Sequence, residues 1–149
     1  MHAATTARID EVWPLVGQAT RWKDWAGFTS ARLLEEGDPA PDGVGALRRF
    51  GVGPGGSEER VLVWDAPHHL AYTIVRGYPV RDYRSDVELR SLEGGGTAIR
   101  WHGTFDAKLP GSGHVMQAVT RAMMARFAKR LVRYAERNAG ELRTGERGA

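Results

Sequence analysis

Cysteine is absent from this chain of 149 residues. That excludes a disulfide framework, a thiolate nucleophile and any zinc site built on sulfur. Long apolar runs are missing too. None approaches the roughly 20 residues that span a bilayer, so stable membrane insertion is not expected. The opening MHAATTARIDEVW lacks the basic-then-apolar layout of a signal peptide. With the missing cysteines, this points to a cytoplasmic protein. Excess charge is scarce: the formal net charge is +3, gathered between Arg121 and Arg137 and in Arg143 and Arg147. A nucleic-acid surface would be more uniformly basic, with aromatic rings among the charges for single strands. No nucleic-acid partner is expected, and the basic stripe reads as a solvated helix face with at most weak attraction to anionic lipid heads.

What the sequence does have is an ordinary globular balance, 42% hydrophobic and 26% charged residues. Five Trp, four Tyr and four Phe supply more large aromatic surface than so small a core needs. His2 to Thr6 fits a short strand. Asp10 to Val16 reads as a helix with an acidic first turn and Pro14 near its start. Ala19 to Trp25 is a second short helical stretch closed by Gly27. From Phe28 the rhythm becomes period two, predicting strands over 28–34, 44–51, 58–64 and 70–75. The clearest alternation follows, with Tyr83, Ser85, Val87 and Leu89 on one face and Arg84, Asp86, Glu88 and Arg90 on the other. After Gly94-Gly95-Gly96, Thr97 to Phe105 returns with Ile99, Trp101, Gly103 and Phe105 facing one way.

A long helix is predicted from His114 to Asn138, with Ser112 as N-cap and Gly140 as the stop. Val115, Val119, Met123, Phe127 and Leu131 form its expected apolar ridge, flanked by Met116, Met124 and Tyr134. Residues 1–139 are read as one domain and 140–149 as a disordered tail. Helices segregated against an antiparallel meander define an α+β fold. A strongly twisted sheet cannot touch a straight helix along its whole length. The gap is filled by side chains or left as a cavity suited to an apolar guest.

Three short stretches carry a family resemblance. Asp10-Glu11-Val12-Trp13 with Arg21-Trp22-Lys23-Asp24-Trp25 resembles the opening "VW…W…W" signature of the START-like (SRPBCC) helix-grip superfamily. Trp64-Asp65-Ala66-Pro67-His68-His69-Leu70-Ala71-Tyr72 is similar to its "D-P-P-x-x-L-x-Y" strand turn, with Ala66 in place of the first proline. Gly96-Thr97-Ala98-Ile99-Arg100-Trp101 is similar to its penultimate "G-T-x-I-x-W" strand. The likeness runs from Thr5 to Ala135 and is greatest to the polyketide cyclase/dehydrase branch. It implies a helix-grip fold: a curved antiparallel sheet of six to seven strands around the C-terminal helix, with two short helices after the first strand, which is shorter here than the family pattern. It also implies a cavity between them.

On that reading the candidate lining is Trp25, Phe28, Tyr72, Tyr83, Trp101 and Phe105 from the sheet side, with Met116, Met123 and Phe127 from the helix. Ser85 would be the polar group among them, and Arg48 a candidate anchor for a carboxylate or enolate oxygen. The strands carrying Arg48 and Glu59 fit either register, and the outer face is favoured for both because charges are seldom buried unpaired. His102 is expected to face outward.

Several sharper motifs fail on context. Gly51, Gly53 and Gly56 match G-x-G-x-x-G, yet a strand-like run follows instead of a helix, so a hairpin loop is expected. His68 and His69 are adjacent and point to opposite faces of a strand, and no metal site is expected. Ser85, His102 and Asp86 do not form a triad, since Ser85 and Asp86 face opposite ways and no nucleophile elbow exists. No metal or nucleotide cofactor is expected, and no catalytic residue is assigned. The leading reading is a binder of a small hydrophobic molecule, lipid-like or polycyclic, acting as a monomer or homodimer. A polyketide aromatase/cyclase using the same cavity is the alternative, and a protein-interaction module is the third.

Overall fold

The computed structural model describes the backbone of residues 1–147 and the side chains of residues 1–139. Strand β1 (His2–Thr5) leads to helix α1 (Ile9–Gly17), a 3-10 turn (Ala19–Arg21) and α2 (Trp22–Trp25). Six strands follow: β2 (Ser30–Glu35), β3 (Leu47–Val52), β4 (Gly55–Asp65), β5 (His69–Arg76), β6 (Val80–Ser91) and β7 (Thr97–Ala107). Helix α3 (Gly113–Arg147) comes last. The strands form one seven-stranded sheet in the order β1-β7-β6-β5-β4-β3-β2, antiparallel at every pairing. This is the α+β helix-grip architecture the sequence implied. β1, only four residues long, joins the edge by pairing with β7 from His2↔Arg100 to Thr5↔Thr97.

The short helices are held by their tryptophans. The Glu11 carboxylate accepts the Arg8 backbone N–H at 2.7 Å, closing the start of α1. At its other end α1 leaves carbonyls without intrahelical partners. Trp25 Nε1 donates to the Leu15 carbonyl and Trp22 Nε1 to that of Val16, both at 2.9 Å. Gly27 then reverses the chain at φ 92°, where a Cβ would collide with the Arg130 guanidinium. Pro14 lies inside α1, not in its first turn as its position in the sequence implies, so α1 forgoes a backbone hydrogen bond there.

The stripe that α3 lays on the core is Thr120, Met124, Ala128, Leu131 and Ala135, all buried. Val115 and Val119, placed on the apolar ridge by the sequence reading, are 65% and 48% exposed. The reason is geometric. A run of pure i+4 steps advances about 40° per step around a helix of 3.6 residues per turn. Such a ridge winds off the contact face, whereas the observed stripe mixes steps of three and four. Ser112 precedes the helix, but its hydroxyl donates to the Leu109 carbonyl at 2.6 Å instead of capping. Nor does Gly140 end it, since helical backbone runs to Arg147; residues 148 and 149 of the expected tail lie outside the described residues.

The convex face of the sheet carries charge ladders. Arg84 holds Asp86 through two hydrogen bonds of 3.0 and 3.1 Å, and His69 Nε2 meets the same carboxylate at 2.8 Å. Burial pushes the Asp86 carboxyl up, but these hydrogen bonds outweigh it and the net shift is downward. A carboxyl lowered in the folded state contributes stability that is present above its unfolded pKa and is lost as the solution is acidified. Asp86→Asn should therefore flatten the acid limb of a stability–pH profile measured by urea unfolding, with the difference from wild type vanishing at strongly acid pH. Trp22→Ala, removing a fully buried ring, should cost about 3–5 kcal/mol in the same assay. Val119→Ser should stay within about 0.5 kcal/mol of wild type.

Candidate functional site

Two irregularities aim side chains into the concave face. In β4 the register shifts between Val61 and Val63, so Glu59 and Val61 point inward before the bulge and Trp64 after it. In β6 a shift between Arg81 and Arg84 turns Tyr83 inward, followed by Ser85, Val87 and Leu89. The alternation predicted from Tyr83 onward thus starts where the bulge ends, and His102 faces outward, 3.4 Å from Glu88.

At one end the interior is filled. Trp22 is the hub, with ring centroids 4.7 Å from Trp25, 5.1 Å from Phe50, 5.8 Å from Trp101 and 6.0 Å from Phe127. Toward the β3–β4 hairpin the sheet curls away from α3 and leaves a cavity of about 220 Å³. Phe28, Phe50, Tyr72, Tyr83 and Phe127 form its aromatic wall, completed by Ile74, Met123 and Tyr78. Tyr78 sits on the β5–β6 turn beside Gly77 (φ 92°), and its hydroxyl meets Thr120 Oγ1 at 2.9 Å, tying that turn to α3.

Arg48 and Glu59 are directly opposed across β3 and β4. The outward placement favoured from the sequence is corrected here: Arg48 is 0% exposed and Glu59 6%. Arg48 Nη2 donates to Glu59 Oε2 at 2.6 Å. Among the described residues its Nε and Nη1 have no hydrogen-bond partner. They sit instead in an aromatic cage, the guanidinium carbon 4.8 Å from the Tyr72 ring, 5.1 Å from Trp22 and 5.2 Å from Phe50. Such cation–π contacts offset part of the lost hydration. Burial pushes the Glu59 carboxyl up, opposed by the charge and hydrogen bond of Arg48. Burial likewise raises the Tyr72 and Tyr83 phenols, with the Ser85 hydroxyl pulling both down. Both phenols stay protonated at neutral pH and remain available as donors.

The predicted residues therefore divide by position. Phe28, Tyr72, Tyr83, Met123 and Phe127 stand on the cavity wall. Trp25 and Trp101 are buried behind it, and Trp101 Nε1 donates to Ser85 Oγ at 2.9 Å. Arg48 lies behind Glu59, which alone of the pair borders the cavity. Met116 packs at the edge of the core, away from this wall. Phe105 lines a separate, larger depression of about 540 Å³ where β7 gives way to α3, next to His114 and Gln117. That depression holds no buried charge, whereas the smaller cavity gathers the desolvated carboxylate and phenols, as functional sites do. Glu59, Phe50, Ile74 and Tyr78 were missed as wall residues. Ile74 shares the period-two phase of Tyr72, the one sequence signal that could have found it.

Among the described residues no cluster of three potential metal ligands converges, and no helix is long and apolar enough to cross a membrane.

Comparison with known proteins gives a consistent answer at the level of family and fold. A family model described as polyketide cyclase / dehydrase and lipid transport matches residues 3–136. No curated protein matches the sequence. A START superfamily protein from Mycobacterium smegmatis has a similar structure, with a TM-score of 0.79, 13% identity, and 92% of this chain and 95% of that one covered. The protein XoxI from Bacillus cereus is similar at a TM-score of 0.75 and 19% identity, with 90% and 92% covered. Norcoclaurine synthase from Thalictrum flavum, a point mutant in complex with a transition-state analogue, is similar at 0.68 and 17%, with 91% of each chain covered. These identities speak for the fold alone. The aromatic-walled gap between sheet and α3 accompanies a family match spanning nearly all of the described residues, and the chain belongs to the polyketide cyclase/dehydrase and lipid-transport family.

Proposed function

We propose that this protein binds a small, largely aromatic, hydrophobic molecule in the cavity between the sheet and α3. One observation carries the reading: an aromatic-walled space of about 220 Å³ persists beside an interior otherwise closed by Trp22, Trp25 and Trp101. An apolar cavity of about 150 Å³ takes benzene, and drug-sized ligands occupy about 300–1,000 Å³. The size therefore suits a guest of one or two rings. A longer, lipid-like guest would extend past Phe28, Val52, Met123 and Phe127 into an adjoining opening of about 440 Å³, flanked by Arg126 and Arg130. The family description, which names both cyclases and lipid transport, supports a hydrophobic guest in either case.

Phe28, Tyr72, Tyr83, Met123 and Phe127 are the predicted residues that would touch it, while Trp25, Ser85 and Trp101 hold that wall in shape. The lack of cysteine supports the cytoplasm as its place of work. A cyclase-type activity is favoured by one specific feature, the buried Glu59 carboxylate at the wall with two protonated phenols nearby. A chain held folded in so small a space would gain mainly from lost entropy in the barrier.

Naphthalene, followed by its own fluorescence on titration with protein, should bind the wild type. Ile74→Trp fills the cavity from β5 and should weaken that binding at least tenfold, with circular dichroism and thermal midpoint close to wild type. A wild type that leaves naphthalene unaffected, or a well-folded Ile74→Trp variant with undiminished affinity, would overturn the proposal.

A further inference from the structure

The polar character of the cavity is set by which member of the buried pair it meets. Arg48 is sealed off: it is fully buried, absent from the cavity wall, and enclosed by the rings of Tyr72, Trp22 and Phe50. Its positive charge is spent on Glu59 and the cage. Glu59 borders the cavity. Its Oε2 is held by Arg48 at 2.6 Å, and its Oε1 accepts no hydrogen bond from the described residues.

The donors nearby have other neighbours. The Tyr78 hydroxyl is engaged with Thr120, and the one hydrogen bond to the Glu59 carboxylate from the described residues is that of Arg48, so neither the Tyr72 nor the Tyr83 phenol donates to it. At an aromatic cavity wall, a carboxylate oxygen that no protein group holds gains from a hydrogen bond. A guest in the cavity can complete it, and the group it brings must be a donor.

We propose, building on the binding function above, that the guest carries a hydroxyl which it donates to Glu59 Oε1, so that the site selects hydroxylated aromatic molecules over carboxylic acids of the same skeleton. This differs from the sequence reading, in which an Arg48 facing inward would anchor a carboxylate or enolate oxygen. A carboxylate placed in this cavity would face a second carboxylate, with the guanidinium shielded behind it, and two such charges in one dry site repel. A hydroxyl, by contrast, restores the missing hydrogen bond without adding charge. Sites built to hydrogen-bond a polar group discriminate strongly against analogues that lack it.

The test compares four ligands on one skeleton: naphthalene, 2-naphthol, 2-methoxynaphthalene and 2-naphthoate, titrated at neutral pH. 2-Naphthol should bind about tenfold more tightly than naphthalene, as a hydrogen bond to a charged acceptor warrants. 2-Methoxynaphthalene keeps the oxygen and loses the proton, so it should lose that advantage. 2-Naphthoate should bind at least tenfold more weakly than 2-naphthol.

The double variant Arg48→Met/Glu59→Leu replaces the pair with apolar groups, a change often tolerated where breaking one partner is not. In it, 2-naphthol should bind no better than naphthalene. Equal affinity of wild type for naphthalene and 2-naphthol would overturn the proposal while leaving the cavity function standing. A preference for 2-naphthoate, or a 2-naphthol advantage that survives in the folded double variant, would also overturn it. Failure of every ligand to bind would remove the cavity function itself. The wild-type comparison of 2-naphthol with its methyl ether decides the matter even if the double variant does not fold.

Discussion

An arginine and a glutamate facing each other across neighbouring strands, inside the protein, set terms that the surrounding structure must meet. Taking two such charges out of water costs several kcal/mol per ion even after relaxation. Contact at 2.6 Å between Arg48 and Glu59 offsets part of that, and the rings of Trp22, Phe50 and Tyr72 around the guanidinium offset more. Each of those rings is thereby fixed in place. Trp22 in turn is pinned to α1 through the Val16 carbonyl, and Phe50 stacks on Phe28 with centroids 4.9 Å apart. The pair also fixes strand register, since a one-residue slip would send both charges to the convex face.

The cavity follows from the same arrangement. Large rings that cage a guanidinium cannot also interdigitate freely with α3, and the helix brings its smallest residues, Ala128 and Ala135, to its buried stripe. Contact is therefore close at the end held by α1 and α2. It is loose toward the β3–β4 hairpin, where Met123 and Phe127 face Tyr72, Ile74 and Tyr83 across open space. The void is the unfilled remainder of a wall whose inner surface was shaped around a charge.

Much of the architecture was legible in the residues. Strand number, the meander order and the long final helix follow from period-two runs, glycine turns and an amphipathic stretch, because those signals are local. What stayed hidden was the facing of β3 and β4. Arg48-Arg49 opposes Glu58-Glu59, so either register pairs a cation with an anion on both faces, and Arg49 does meet Glu58 at 3.1 Å on the outside. The choice falls to Phe50 and Val61, whose burial is gained only when Arg48 and Glu59 share their side. That is a tertiary preference overruling the general rule against buried charge. The drift of the predicted ridge on α3, and the placement of Met116 and Phe105 away from the cavity wall, have a common origin. Spacing along the chain fixes direction only locally, and small phase errors grow along a long helix, while the curl of the sheet decides where β7 leaves the core.

The tyrosine on the β5–β6 turn has a kinetic meaning beyond its place in the wall. Its hydroxyl contact with Thr120 is the sort of neutral bond that contributes only about 0.5–1.5 kcal/mol. A turn fastened so lightly adds little to any barrier against its opening. For the proposed guest, residence time would then be governed by its own fit and scarcely by the clasp. Occupancy of the proposed site would then follow the free concentration of its guest.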